Sequence, residues 1–170
     1  MQPRWPAPGN VRRLPRAFVM SDWKRMPDPA AVLDGLPYNV AMIFRHYEDP
    51  NRAARAREVV SRAHRLGIQV LVAGNPRLAS RVGADGVHLP SHLLRHRVFS
   101  RLAAMRPDWL ITAAVHDQRE LTRATGAQVD AVMVSPVFST TTRVQRQALG
   151  VMGGKAHLSE SVVTQAVQDA

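Results

Sequence analysis

Six short, unbroken apolar runs recur at intervals of roughly twenty residues along this chain, and segments of helical periodicity lie between them. The runs fall at 16–22, 39–45, 68–74, 85–90, 109–116 and 130–138. They are continuous rather than alternating, the pattern of strands covered on both faces, as in a parallel sheet. The spacing predicts helices over 29–36, 50–66, 75–82, 92–105 and 117–125. Asp49-Pro50 places a proline in a first turn behind an acidic cap. Asp117 followed by Glu120 has the form of a capping box. Gly67 and Gly126 stand where helices should stop.

A chain of alternating strands and helices has two common solutions. A doubly wound sheet wants a glycine-rich turn after its first strand, and SDWKRMP at 21–27 supplies none. A barrel collects polar groups at the C-terminal ends of its strands. Here those ends carry Asp22, Arg45 with His46, His88, His116, and the stretch from Ser135 to Arg143. The expected fold is therefore α/β, an incomplete TIM-type (β/α) barrel with about six parallel strands. A full barrel takes eight strands and typically ~200–250 residues, against 170 here. The expected organisation is an extension at 1–13, the partial barrel at 14–150 and a divergent tail at 151–170 with one helix. A second copy of the chain completing the barrel is one way to close it; a shifted reading frame and decay of the gene product are others.

Composition narrows the function classes. Apolar residues make up 45%, and no window approaches a membrane span. The N-terminus has no apolar core of a secretory signal, and the absence of cysteine removes disulfides and thiolate metal sites. A cytoplasmic protein is expected. The net charge of +10 raises nucleic-acid binding, but the arginines have a plainer reading. Over 51–67, Ala56, Val59, Val60, Ala63 and Leu66 share one helical face, while Arg55, Arg57, Arg62 and Arg65 occupy the others. No aromatic residues interleave with them as base-stacking platforms would. The expected partner is an anionic small molecule drawn to a basic mouth, not a membrane or nucleic acid.

The most informative stretch is DAVMVSPVFSTTTR at 130–143. A buried strand runs straight into Ser139, Thr140, Thr141, Thr142 and Arg143, a cluster suited to holding a phosphate at a barrel mouth. The seven histidines show no HxH or HExxH spacing, which argues against zinc.

GADGVHLP at 83–90, VH at 115–116 and SPVFSTTTR at 135–143, with Asp22 ending the first strand and ALG at 148–150, resemble the thiamine phosphate synthase/TenI superfamily of TIM barrels. The resemblance implies one of two activities. One is a transferase that joins a pyrimidine diphosphate to a thiazole phosphate with Mg2+ assistance. The other is a tautomerase that isomerises a thiazole carboxylate phosphate without a metal. It implies phosphate contacts from Thr140 and Thr142, with Arg143 in place of a lysine, and from Arg45. Ser135, Thr141 and His88 are further candidate contacts, although a satisfied histidine of the barrel is the plainer reading of His88. It puts the tautomerase histidine at His116. The metal-binding Asn-Asp pair of the synthases corresponds to Ala73-Gly74, and their second acidic position falls near Leu93. No metal ligand is therefore expected, and Mg2+ enters only if the chain is synthase-like. A degenerate binder of thiamine-related phosphates is the alternative.

Overall fold

The computed structural model describes residues 14–96 and 99–135. Six strands, β1 (Ala17–Met20), β2 (Val40–Phe44), β3 (Gln69–Ala73), β4 (Gly86–Leu89), β5 (Leu110–Val115) and β6 (Ala131–Val134), lie in the order expected. Between them stand α1 (Pro29–Val32), α2 (Arg52–Leu66), α3 (Pro76–Val82), α4 (Leu102–Met105) and α5 (Gln118–Gly126). The chain divides into two compact units, Met1–His88 with Asp108–Leu110, and Leu89–Pro107 with Ile111–Ala170.

In the first unit the strands pair in parallel and in chain order. Met20 lies opposite Ile43, Phe44 opposite Val72, and Ala73 opposite His88. All five residues of β3 are buried, as are Ala41 to Phe44 of β2, which is what the unbroken apolar runs require. α2 covers this core with Ala56, Val59, Val60 and Ala63. Leu66, expected on the same face, is 43% exposed because the helix ends there, at Gly67 in the left-handed region with φ 71°. Arg57 and Arg65 reach water as expected, whereas Arg55 and Arg62 are half-buried and paired with Asp49 and Asp34. Asp49 does not cap α2 itself. One of its carboxylate oxygens accepts the N–H of Asn51, the capping residue, at 2.8 Å, and the other takes Arg55 Nε at 2.5 Å.

The glycine of GADGVHLP has a packing reason. A Cβ on Gly86 would stand 2.7 Å from the carbonyl carbon of Leu110 and 2.8 Å from its nitrogen, with the oxygen nearer still. Asp85, beside it, accepts the N–H of Val70 at 2.8 Å and faces His64 Nε2 at 3.0 Å. That carboxylate pins the start of β3.

In the second unit β5 and β6 pair in parallel, Thr112 opposite Ala131 and Val115 opposite Val134. Asp130 repeats the role of Asp85: its carboxylate accepts the N–H of Ile111 at 2.7 Å. Asp117 caps α5 by accepting the N–H of Glu120 at 2.7 Å. Glu120 reaches back one residue further than a standard capping box, taking the N–H of His116 at 2.7 Å. The left-handed residue after α5 is Gln128 at φ 53°, not Gly126, which is the last helical residue. The continuous helix expected over 92–105 is instead a 3-10 turn at Ser91–Arg95, a second at Phe99–Arg101, and the single turn α4. Leu94 and Leu102 are its buried leucines, and no side chain caps its start. With so few apolar anchors, packing does not hold one helix across it.

Among the described residues, no helix is long and apolar enough to cross a membrane.

Candidate functional site

The first unit gathers its polar side chains where β1, β2 and β3 end. Ser21 follows β1 and is fully buried; its hydroxyl accepts the N–H of Arg45 at 3.0 Å and lies 2.9 Å from His46 Nδ1. The other ring nitrogen, Nε2, lies 3.0 Å from the carbonyl oxygen of Met26. A carbonyl only accepts, so Nε2 carries the hydrogen and Nδ1 accepts from the Ser21 hydroxyl. The ring stacks on Phe44, with centroids 4.9 Å apart, and meets the edge of Trp23 at 5.8 Å. Burial holds the imidazole below its ordinary pKa, against the pull of the Met26 carbonyl. His46 thus serves as a neutral strut that ties the loop after β1 to the end of β2.

That strut shapes a cleft of about 210 Å3 lined by residues 22–24 and 45–48. Asp22 accepts the N–H groups of Lys24 and Arg25 at 3.1 Å each, and these bonds, that of Arg25 foremost, keep its carboxyl below the ordinary value. Arg45 is half-buried, with Nη1 3.6 Å from Met20 Sδ. His88, in contrast, is enclosed within β4. Burial, reinforced by the Arg45 charge, lowers its pKa to about 4, so it is neutral near pH 7.

One residue here carried no motif in the sequence. Arg52, the first residue of α2, donates from Nη2 to the carbonyl oxygen of Ala73 at 2.7 Å, at the last residue of β3. Its guanidinium lies 5.0 Å from the centre of the Tyr47 ring. Burial lowers its pKa against the counter-effect of Tyr47. Arg55 pairs with Asp49 and Arg62 with Asp34, whereas Arg52 has no carboxylate partner among the described residues. In the sequence it looks like one more arginine in the run RAARAR; only the bond to Ala73 distinguishes it.

The second unit holds His116 and Ser135. His116 follows β5 and is half-buried, and its Nδ1 is bonded to the carbonyl oxygen of Ser135. Because that partner only accepts, Nδ1 bears the hydrogen and Nε2 the lone pair. Glu120 fixes the backbone of His116 from the other side. Ser135 is exposed, and its N–H donates to Val115 at 3.1 Å. Thr140, Thr141, Thr142 and Arg143 lie outside the described residues.

A divalent metal does not fit the end of β3. Mg2+ takes oxygen ligands, commonly one or two carboxylates, and the two positions there are Ala73 and Gly74. The Ala73 carbonyl is already bonded to a guanidinium, and a cation placed against the same oxygen would face like charge at short range. Among the described residues no cluster of three or more His, Asp or Glu side chains is disposed to hold a metal.

Parallel strands alternating with helices, with polar side chains gathered at the strand ends, define the class of (β/α) proteins that place their sites on the loops after the strands. Within that class, a family model described as thiamine monophosphate synthase matches residues 24–165, and the chain belongs to this family. The thiamine-phosphate synthase of Thermosynechococcus vestitus is 32% identical over 126 residues, covering 71% of this chain and 34% of that protein. The thiamine-phosphate synthase of Thermus thermophilus is 31% identical over 98 residues, covering 58% of this chain and 46% of that protein. The solved thiamine phosphate pyrophosphorylase of Pyrococcus furiosus superposes with a TM-score of 0.63 at 20% identity, over 83% of this chain and 68% of that one, a likeness of fold. The chain spans between 30% and 61% of the length of the curated relatives it matches.

Proposed function

We propose that this chain acts in thiamine biosynthesis on a phosphorylated thiazole, with His116 moving a proton between two positions of the ring. Family membership supports the substrate class. The observation that carries the chemistry is the bond from His116 Nδ1 to the Ser135 carbonyl, which leaves the Nε2 lone pair as the base. A proton shift needs a single group that removes and returns a proton, and an imidazole of fixed tautomer is suited to it. In this reading Nε2 takes a proton from the thiazole ring and returns it at another ring position, so no bond to phosphorus changes and no co-reactant is consumed. Phosphate contacts are assigned to Arg45 in the first unit and to Ser135, Thr140, Thr141, Thr142 and Arg143 in the second, and the protein is cytoplasmic.

The test incubates the purified chain with the thiazole carboxylate phosphate and follows isomerisation, with and without His116→Ala. Turnover lost in the variant supports the reading. A folded wild type without turnover sinks it. The same samples, given the pyrimidine diphosphate, a thiazole phosphate and Mg2+, report on condensation, the activity named for the curated relatives.

The bonded guanidinium at the end of β3 counts against metal-assisted condensation, and the second reading is that the chain binds thiamine-related phosphates without turning them over. Calorimetric binding of thiamine phosphate by a chain inactive in both assays would favour it.

A further inference from the structure

We propose that the phosphorylated ligand is held at the ends of β2 and β3 without a divalent metal, the guanidinium of Arg52 standing in the metal's place. The inference rests on the reading that this mouth takes a phosphorylated small molecule, and it goes beyond that reading by assigning the charge that neutralises the phosphate.

Four observations carry it. Arg52 is anchored through Nη2 to the Ala73 carbonyl, at the tip of a strand whose last residue and the next offer no side-chain ligand. Its guanidinium packs against Tyr47, which lines the cleft beside Arg45. It is a half-buried cation that pairs with no carboxylate among the described residues, while the neighbouring Asp49 is taken by Arg55 and Asn51. Its Nε is buried with no hydrogen-bond partner. A cation withdrawn from water is stabilised by an anion, and a carbonyl and a ring face offset only part of that cost. Arg52 borders the cleft through Tyr47 rather than lining it, and a phosphate bound at that side of the cleft supplies the missing charge. The guanidinium is already in position, so binding needs no ion taken up from solution.

The experiment measures calorimetric binding of thiamine phosphate to the purified full chain, once in EDTA and once in excess Mg2+. The expected dissociation constant is the same in both. Arg52→Gln, which keeps a donor for Ala73 but removes the charge, should weaken binding about tenfold, the usual loss of one hydrogen bond to a charged group. Arg52→Ala should do so at least as strongly. Arg62→Ala, which breaks a solvent-facing pair with Asp34, should leave binding unchanged. Circular dichroism melts establish that each variant is folded, and if Arg52→Ala is not, Arg52→Gln decides. Binding seen only with Mg2+ overturns the proposal and leaves the proton-shift reading standing. Metal-free binding indifferent to both Arg52 variants also overturns it. No binding in either condition removes this proposal together with the phosphorylated-ligand reading beneath it. Isomerisation of the thiazole is scored separately, so a chain that binds in EDTA but does not turn over refutes only the function proposed above.

Discussion

His88 makes the stability of this protein fall with acid in a defined window. The side chain is 4% exposed within β4, and burial, with Arg45 in support, lowers its pKa from 6.5 to about 4. The unfolded chain therefore binds a proton that the folded chain refuses throughout the interval between those two values. Stability contributed by neutral His88 is complete above pH 6.5, declines by about 1.4 kcal/mol per pH unit as acid is added, and is exhausted below pH 4. Over the whole interval the loss is about 3 kcal/mol. For a chain of this size that corresponds to a fall in Tm of roughly 6–12 °C. His46 is shifted in the same direction, also chiefly by burial, and adds to the decline.

The assay is urea unfolding followed by circular dichroism from pH 7.5 to pH 4, on the wild type and on His88→Leu. The variant will differ in stability at neutral pH because it loses the imidazole's own contacts, so the quantity that matters is slope against pH. The wild type should lose about 3 kcal/mol more than the variant across the window. Arg45→Gln should flatten the decline slightly by removing the smaller of the two causes. Identical slopes for wild type and His88→Leu would refute the argument. So would an NMR titration placing the folded-state imidazole near 6.5.

Other consequences follow from single contacts. Gly86→Ala brings a Cβ against the backbone of Leu110, which no side-chain rotation relieves, and should cost about 3 kcal/mol, measured by urea unfolding; a neutral result would mean β4 and Leu110 separate freely. Ser21→Ala leaves buried His46 Nδ1 without its donor and should cost about 1–3 kcal/mol in the same assay, with Trp23 fluorescence reporting the loosened loop. Asp117→Ala removes the cap of α5 and should cost about 1 kcal/mol in thermal melts. If His116 is the proton carrier, Asp117→Ala should also lower kcat, because Glu120 holds the histidine backbone from the same turn.

How far the sequence could be read depended on the range of the signal. Strands buried along all or nearly all of their length announce themselves as unbroken apolar runs, so β2, β3 and β5 were legible within a residue or two at each end. The cap of α5 was legible because Asp117 and Glu120 are three residues apart and the bond they make is local, whereas the cap read at Asp49 falls instead on Asn51. The 92–105 segment failed because apolar spacing there is too sparse for periodicity to distinguish one helix from three short turns. The candidate site residues divide along the same line. Arg45 and His116 were visible because each follows an apolar strand, the position where a (β/α) fold exposes side chains. His46 was visible but its role was not, since a strut is defined by Ser21 and Met26, which lie 25 and 20 residues away in the chain. Arg52 was hidden altogether. Its neighbours Arg55 and Arg57 share its composition and helix, and only the bond to a carbonyl 21 residues onward separates a cation at a strand tip from a solvated one. Residues whose function comes from what reaches them across the fold are those a linear reading leaves among the surface charge, so a basic surface helix following a strand in this family should be searched for the arginine whose guanidinium turns back to the sheet.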